Sequence, residues 1–481
     1  MSRKFSHPPV PIEAVIEGKQ RLSPRQALVL YQETPLYELG RFASAMCERI
    51  HGDRLRTYVK DRNINYTNVC SARCTFCAFR RDGQDQDAYV LSQSELHKKV
   101  RQLVEIGGTQ ILLQGGMHPD LPIEFYEQLL RELKLAFPQI HVHGFSPPEF
   151  VEFVAMFEIK GFPTPGVGRG LELSGNQWKA KLETIMDRLK SAGLDSLPGG
   201  GGEIFAEQVR RRIGLGKATG DQWVEVMACA HRLGMFTSAT MMFGHVEGIA
   251  DRINHLQRIR DWQDRAIEEQ WPGQYISFIS WPFQRENTPL GRVPDWDFQG
   301  DGEAFPGDQL AEMVMDGKID CLDKAACEQS VPMAGKRVRL AGANDYLRTQ
   351  AVSRLFLDNI PSIGSSWVTM GPKIGQLGLF FGANDMGSVM MEENVVSAAG
   401  TTFCLNEPTL CHLIREAGFV PAQRDNRYTI LKIHEGPETP DRLVRDWSCH
   451  RAKRLHSDRE PELSAPAPGD EGGKVPLTVS S

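Results

Sequence analysis

The sequence predicts an α/β chain built on a parallel (β/α) barrel, TIM-like and full or partial, with a helical N-terminal segment and a C-terminal extension. Three observations point there. From about residue 60, short apolar runs closed by glycine alternate with amphipathic stretches of helical period, the pattern of parallel strands joined by right-handed crossovers. Helix starts carry capping pairs at the required spacing, Ser92 with Glu95 and Thr219 with Gln222. Polar residue groups fall near the ends of the predicted strands, where a barrel of this kind places its site.

Taken in order, residues 1–55 read as helical, with Pro8, Pro9 and Pro11 marking a loose start. Ser23 caps a helix whose first position is Pro24, where a missing N–H costs nothing. Residues 56–290 carry the barrel core. Leu96, Val100, Leu103 and Val104 share one helical face, and Gly107 and Gly108 end that helix. Residues 109–114 are then a buried strand ended by Gly115 and Gly116. A helix over 125–137 and a strand over 140–145 follow. After Thr219, the stripe Trp223, Val226, Met227, Ala230 and Leu233 predicts a helix ended by Gly234. Strands over 235–243 and 275–280 flank a helix over about 251–263. A Gly/Pro-rich loop insertion at 160–175 interrupts the rhythm, and so does an acidic insertion at 291–337, expected to be a surface appendage rather than a lid. Residues 338–435 complete the barrel and cap it. Residues 436–481 form a basic helix, with the basic stretch from Arg442 to Arg454 as its solvated face, and then a disordered tail from Leu455.

Bulk properties narrow the function classes. The 481 residues are 41% hydrophobic and 24% charged, with a net charge of -6. That is ordinary globular composition, and it gives no electrostatic case for a nucleic-acid partner. No apolar run reaches the length of a membrane span. The N-terminus lacks the apolar stretch of a secretory signal, so a cytoplasmic location is expected. The ten cysteines do not form a disulfide pattern in a chain this long, and most read as reduced thiols.

Cys70, Cys74 and Cys77 are the exception. Their spacing is C-x3-C-x2-C, within Asn63-Ile-Asn-Tyr-Thr-Asn-Val-Cys-Ser-Ala-Arg-Cys-Thr-Phe-Cys-Ala-Phe79. Three thiolates on one loop can hold three irons of a 4Fe-4S cluster and leave the fourth iron free for a small molecule. Electron-transfer clusters normally have four cysteine ligands, so a missing ligand points to chemistry at the iron. A structural zinc site is the competing reading. It needs four Cys or His donors, and the nearest further candidates are His51 and His97. With Phe76 before the last cysteine, the run resembles the signature of the radical S-adenosylmethionine (SAM) enzymes. That resemblance implies a cluster whose open iron chelates the methionine amino and carboxylate groups. It also implies reductive cleavage of SAM to a 5′-deoxyadenosyl radical.

Other residues gain meaning beside this trio. Gly115 and Gly116 let backbone approach a ligand closely. The resemblance makes Gln114, Gly115 and Gly116 candidates to meet the methionine amino group. In Pro198-Gly-Gly-Gly-Gly-Glu203, four glycines suggest close ligand approach, with Glu203 a partner for the cofactor ammonium or ribose hydroxyls; a flexible loop with a solvated Glu is the alternative. His245 and Glu247 end a predicted strand and are candidates to bind substrate or move protons. His118 with Asp120, His141 with His143, and Glu149 also lie near strand ends. His141 and His143 share one face of a strand, so both point inward or neither does.

The flanking residues narrow the resemblance. The runs Pro198 to Ile204, Ala239 to Glu247, Trp281-Pro-Phe-Gln284, Ala343 to Arg348, Leu357 to Ile360, Ser366 to Thr369, Phe381 to Met386 and Glu392-Glu-Asn-Val395 resemble the dehypoxanthine futalosine cyclases of menaquinone biosynthesis. This resemblance implies abstraction of the C4′ hydrogen of dehypoxanthine futalosine, attack of the C4′ radical on the carboxylated ring of the same molecule, and loss of one proton and one electron. His118, His245 and Glu247 are the expected proton acceptors. Arg348 is expected at the substrate carboxylate, and Asn384 and Asp385 at ribose hydroxyls. The small-molecule substrate would be joined by reduced flavodoxin or a ferredoxin-type donor, with no nucleic acid or membrane partner and no further metal. Two alternatives stay open: a sibling radical enzyme such as an aminofutalosine synthase or a deazaflavin-synthesis enzyme, and, more remotely, a non-enzymatic metal-binding module.

Overall fold

The computed structural model describes residues 7, 9–163, 173–297, 299–301, 305–320, 322, 337–436 and 439–447. Twelve strands appear among them. They are β1 Leu55–Val59, β2 Asp61–Ile64, β3 Arg73–Cys74, β4 Gln110–Leu113, β5 His141–Gly144, β6 Gly214–Leu215, β7 Thr237–Phe243, β8 Tyr275–Pro282, β9 Ser362–Gly364, β10 Asp385–Ser388, β11 Val420–Arg424 and β12 Ile430–Ile433.

Pairing closes eight of these positions into a barrel. β1 and β2 are one strand broken at Lys60. The β2 half pairs with β4, and β4 with β5, all parallel. His143 then bridges to Ser196, and Leu197 to Thr237, so residues 196–197 act as a minimal strand between β5 and β7. β7, β8, β9 and β10 continue in parallel and return to β1. The antiparallel pair β11–β12 attaches to the first half of β1. The barrel is therefore full, and its last two strands come from the C-terminal quarter of the chain.

Local chemistry sets these elements. Both ends of the capping box are made at Ser23/Gln26, Ser92/Glu95 and Thr219/Gln222, as the spacing predicts. Ser174 and Gln177 form a further box that opens the helix Gly175–Ala192. Residues 164–172 of the expected loop insertion lie outside the described residues. Outward-facing strand positions, such as Ile111, Leu113, Val142, Met241 and Phe243, are buried against the helices. Inward positions include small or polar residues, among them Asn63, Gln110, Ser238, Thr240 and Ser277, beside apolar ones such as Leu112 and Ile279. A barrel interior is ordinarily filled by branched apolar side chains; this one encloses a cavity of about 300 Å³.

Two expectations need correction. The acidic insertion is not a mere appendage: its described helix Gln309–Met315 buries Leu310, Ala311, Val314 and Met315 against the helix Pro24–Glu33. Asp308 also bonds Arg339 and the backbone N–H of Ile249. An apolar face at helical spacing thus overrides the net acidity. Residues 439–447 are irregular rather than helical, because Pro440 interrupts the start and Arg415 holds Pro440 O and Asp441 instead. The remainder of the basic stretch and the tail from Leu455 lie outside the described residues. No described helix is long and apolar enough to cross a membrane.

Candidate active site

The cysteine loop leaves the end of β2 and is fixed by backbone. Cys70 N–H donates to Arg81 O at 3.1 Å, Ser71 N–H to Met117 O at 2.8 Å and Thr75 N–H to Ile213 O at 2.8 Å. β3 pairs with β6, setting Cys74 opposite Gly214. Gly116 explains how the strand end fits against this loop. A Cβ there would lie 2.1 Å from Val69 O, and one on Gly115 would lie 2.6 Å from the Tyr66 ring. These glycines are required by the protein's own backbone and ring.

Cys70, Cys74 and Cys77 line one cavity of about 310 Å³ together with Phe76, Gln114, Gly115, Gly116 and Glu203. Burial raises the thiol pKa of Cys70 and pushes that of Cys74 up to about 12. Glu203 is held at φ 37°, a strained value for a residue with a side chain. Its Oε1 takes a 2.5 Å ion pair from Lys217, whose ammonium also sits 4.9 Å from the Phe76 ring centroid. Desolvation pulls the Lys217 pKa down, but Glu203 and Cys74 outweigh it and leave the value raised. Glu149, buried, accepts from Tyr66 Oη at 2.6 Å and Gly115 N–H at 3.2 Å, and so orients the glycine pair.

The residues fit the implied cofactors. Three thiols share one cavity with the buried Glu203 Oε2, which has no hydrogen-bond partner among the described residues and is an acceptor left for an ammonium or hydroxyl. No three or more His, Cys, Asp or Glu among the described residues are grouped to hold a single metal ion.

The four-glycine run is neither a flexible loop nor primarily a ligand cradle. A Cβ on Gly199 would lie 2.8 Å from Ser238 O, on Gly200 2.4 Å from Gln114 Nε2, on Gly201 2.3 Å from Pro148 Cγ, and on Gly202 2.5 Å from Thr240 O. The run threads between strand ends, and at Gly199 and Gly202, which face backbone carbonyls, only glycine leaves room.

A second cavity of about 300 Å³ fills the barrel interior. Its wall carries apolar side chains, among them Ile279, Trp281, Trp367, Val368, Met386 and Met390, and hydrogen-bonding groups, among them Asp61, Gln110, His143, Ser238, Ser277 and Asp385. Asp385 pairs with Arg424 at 2.6 and 2.9 Å and accepts from Thr57. His141 and His143 both point inward, each 2.6 Å from Ser196 Oγ, and burial lowers the pKa of both. The two cavities share Asn63, Gln114, Gly200, Trp281, Glu393 and Val396 as common wall.

Several expected residues stand elsewhere. His245 and Glu247 are fully buried outside both cavities. Glu247 accepts from Arg252 Nε at 2.9 Å, Gly244 N–H at 2.7 Å and His245 N–H at 2.9 Å. Burial would raise the Glu247 pKa, but His245 and Arg252 outweigh it and hold the carboxyl well below its ordinary range. His118 also lies outside both linings; its Nδ1 accepts from Asp120 N–H at 3.1 Å, and burial lowers its pKa. Arg348 donates to Tyr31 O and Thr34 O at 2.9 and 2.8 Å, on the N-terminal helices. Asn384 is spent on Arg354, Ile363 N–H and Ser362. Of the expected substrate contacts, only Asp385 faces the interior. The sequence reading assigned no role to Glu393, His143, Lys217 or Arg424. Glu393 stood in the quoted Glu392-Glu-Asn-Val395 run, and the alternation of β5 had placed His143 on a shared face.

The chain matches the model of the radical SAM superfamily over residues 64–259 and that of the CofH/MqnC C-terminal region over residues 331–436. It is 38% identical to the cyclic dehypoxanthine futalosine synthase of Halalkalibacterium halodurans, over 90% of this chain and 97% of that one. The synthase of the same name from Streptomyces coelicolor is 35% identical, over 91% and 92%. A 5-amino-6-(D-ribitylamino)uracil–L-tyrosine 4-hydroxyphenyl transferase of Methanopyrus kandleri is also 35% identical, over 83% and 90%. Among solved structures, methylornithine synthase is similar in fold, with a TM-score of 0.54 at 15% identity over 85% of this chain and 97% of that one. The chain belongs to the CofH/MqnC family of radical SAM enzymes.

Proposed function

We propose that this chain is a radical cyclase that converts dehypoxanthine futalosine to its cyclic product in menaquinone biosynthesis. The observation that carries this reading is the pair of cavities with a common wall. One lies under the cysteine trio; the other is lined by both aromatic and hydroxyl-bearing side chains, which suits one substrate with an aromatic ring and a sugar. The similarity to two cyclic dehypoxanthine futalosine synthases supports it.

The cofactors are a 4Fe-4S cluster and SAM, and when bound they supply a 5′-deoxyadenosyl radical. Cys70, Cys74 and Cys77 would hold the cluster. Gln114, Gly115 and Gly116 would meet the methionine end, and Glu203, ion-paired with Lys217, would accept from its ammonium or from ribose hydroxyls. In the interior, His143, Asp385 and the serine and threonine hydroxyls would take the sugar, and Trp281 and Trp367 would flank the ring. Holding a flexible molecule folded on itself turns ring closure into a near-attack event. Enclosure by the barrel wall keeps water from the radical. The electron donor is of flavodoxin or ferredoxin type.

The test is an anaerobic incubation of the iron- and sulfide-reconstituted protein with SAM, reductant and dehypoxanthine futalosine, read by mass spectrometry. Free 5′-deoxyadenosine with a product two hydrogens lighter is the expected result. A product that keeps the adenosyl group would instead assign a sibling activity, and no SAM cleavage would sink the radical reading.

A further inference from the structure

We infer that Glu393 is the base that removes the ring proton after cyclisation, because it is the titratable residue in the wall common to the cofactor cavity and the barrel interior. The inference rests on the proposed cyclase activity. The radical forms on one side of that wall and the substrate lies on the other, so the reacting atoms meet at Asn63, Gln114, Gly200, Trp281, Glu393 and Val396. The other five are neutral amides, a glycine, an indole and a valine.

Glu393 is also held as a base should be. It is 6% exposed and has no ion pair among the described residues. Its Oε1 accepts from Val395 and Val396 N–H, both at 3.0 Å, and Oε2 from Val396 N–H at 3.2 Å. Each oxygen therefore keeps acceptor capacity. Burial raises its pKa to about 7, against the pull of the Val396 and Val395 amides. A general base works best with a pKa near the operating pH. The charged neighbour in sequence is Glu392, ion-paired with Arg62 at 2.5 Å and Lys99 at 2.9 Å, and its charge adds to the rise of the Glu393 pKa. The titratable groups on the two cavity walls are Asp61, His143, Asp385, Arg424 and Tyr428 on one side, and Cys70, Cys74, Cys77, Arg80, Glu149, Glu203 and Lys217 on the other.

The C4′ radical forms a C–C bond to the ring and leaves a cyclohexadienyl radical. Glu393 carboxylate takes the proton from the new sp³ ring carbon, and the C–H electron pair stays in the ring as an arene radical anion. One electron then passes to a one-electron acceptor of the iron–sulfur type, and the ring is aromatic again.

The test compares reconstituted wild type with Glu393→Gln and Glu393→Asp, measuring cyclic product per 5′-deoxyadenosine released. Glu393→Gln should go on releasing 5′-deoxyadenosine while product per cleavage falls ~100-fold, the usual worth of a positioned base. Glu393→Asp should fall less. In the wild type the same ratio should drop as pH is lowered through about 7. Melting curves of the variants give the second readout: above pH 7 the wild type should melt below Glu393→Gln, because an ionised, unpaired carboxylate is buried only in the wild type. An unchanged ratio in Glu393→Gln, or a wild-type ratio flat from about pH 5.5 to 8.5, overturns the inference. Where Glu393→Gln does not fold, the wild-type profile and Glu393→Asp decide. A wild type that makes no cyclic product overturns the proposed function instead.

Discussion

Two buried glutamates stand near the mouth of this barrel in opposite electrostatic settings. Glu247, just beyond β7, is clasped by Arg252 and by the Gly244 and His245 amides, and its pKa is held down. Glu393, after β10, has amide partners only and lines both cavities, and its pKa is raised to about 7. A carboxylate with a cation at hand is locked ionised and serves the fold. One without a cation is poised to exchange a proton and destabilises the fold when ionised. The difference separates architecture from chemistry among residues that look alike in sequence.

The largest expected effect fixes where the chemistry lies. Cys70→Ala, Cys74→Ala or Cys77→Ala should each abolish 5′-deoxyadenosine release, with the circular dichroism spectrum retained. A fully active single variant would remove the trio from the site and the comparison with it. Next, Arg252→Met leaves Glu247 buried without its cation and should cost about 3–5 kcal/mol in denaturant unfolding. Product per SAM cleaved should not change in the folded fraction, and a changed ratio would make Glu247 part of the chemistry.

The third effect has the opposite sign for the second glutamate. The folded pKa of Glu393 lies above the unfolded one, so its contribution to stability is fully present below the unfolded value and is lost as pH rises through about 7. Glu393→Gln should therefore gain about 2–3 kcal/mol over wild type at pH 8, a gain that closes toward pH 4.5. Glu247→Gln should lose stability at pH 8, because its folded pKa lies below the unfolded one. Its stabilising contribution is present above the unfolded pKa and disappears as pH falls through the folded value. Stability curves of both variants against pH would show the two trends or erase the contrast. The smallest effect concerns Arg348→Ala, which removes bonds to Tyr31 O and Thr34 O and should cost about 1 kcal/mol. An unchanged substrate KM would keep it out of the site.

Much of the barrel was legible because its signals are local. Capping pairs at Ser92 and Thr219, apolar stripes and strand-closing glycines each need only a short window, and the cysteine trio lies within one loop. The minimal strand at 196–197 carried no such signal, since single parallel bridges to His143 and Thr237 make it. The acidic insertion misled because composition hides the apolar face of Leu310, Val314 and Met315. Site residues were harder for the same reason. His245 and Glu247 read as a catalytic pair by adjacency, yet Arg252, one turn into the next helix, claims the carboxylate. Asp385 and Glu393 acquire their surroundings from Arg424 and from β2, β4 and β8, at separations no local pattern spans.

The most direct test of the account follows one atom. Dehypoxanthine futalosine carrying deuterium at C4′ should yield 5′-deoxyadenosine that contains one deuterium and a cyclic product that contains none at that carbon. Deuterium kept at C4′, with unlabelled 5′-deoxyadenosine or an adenosyl adduct in its place, would contradict it.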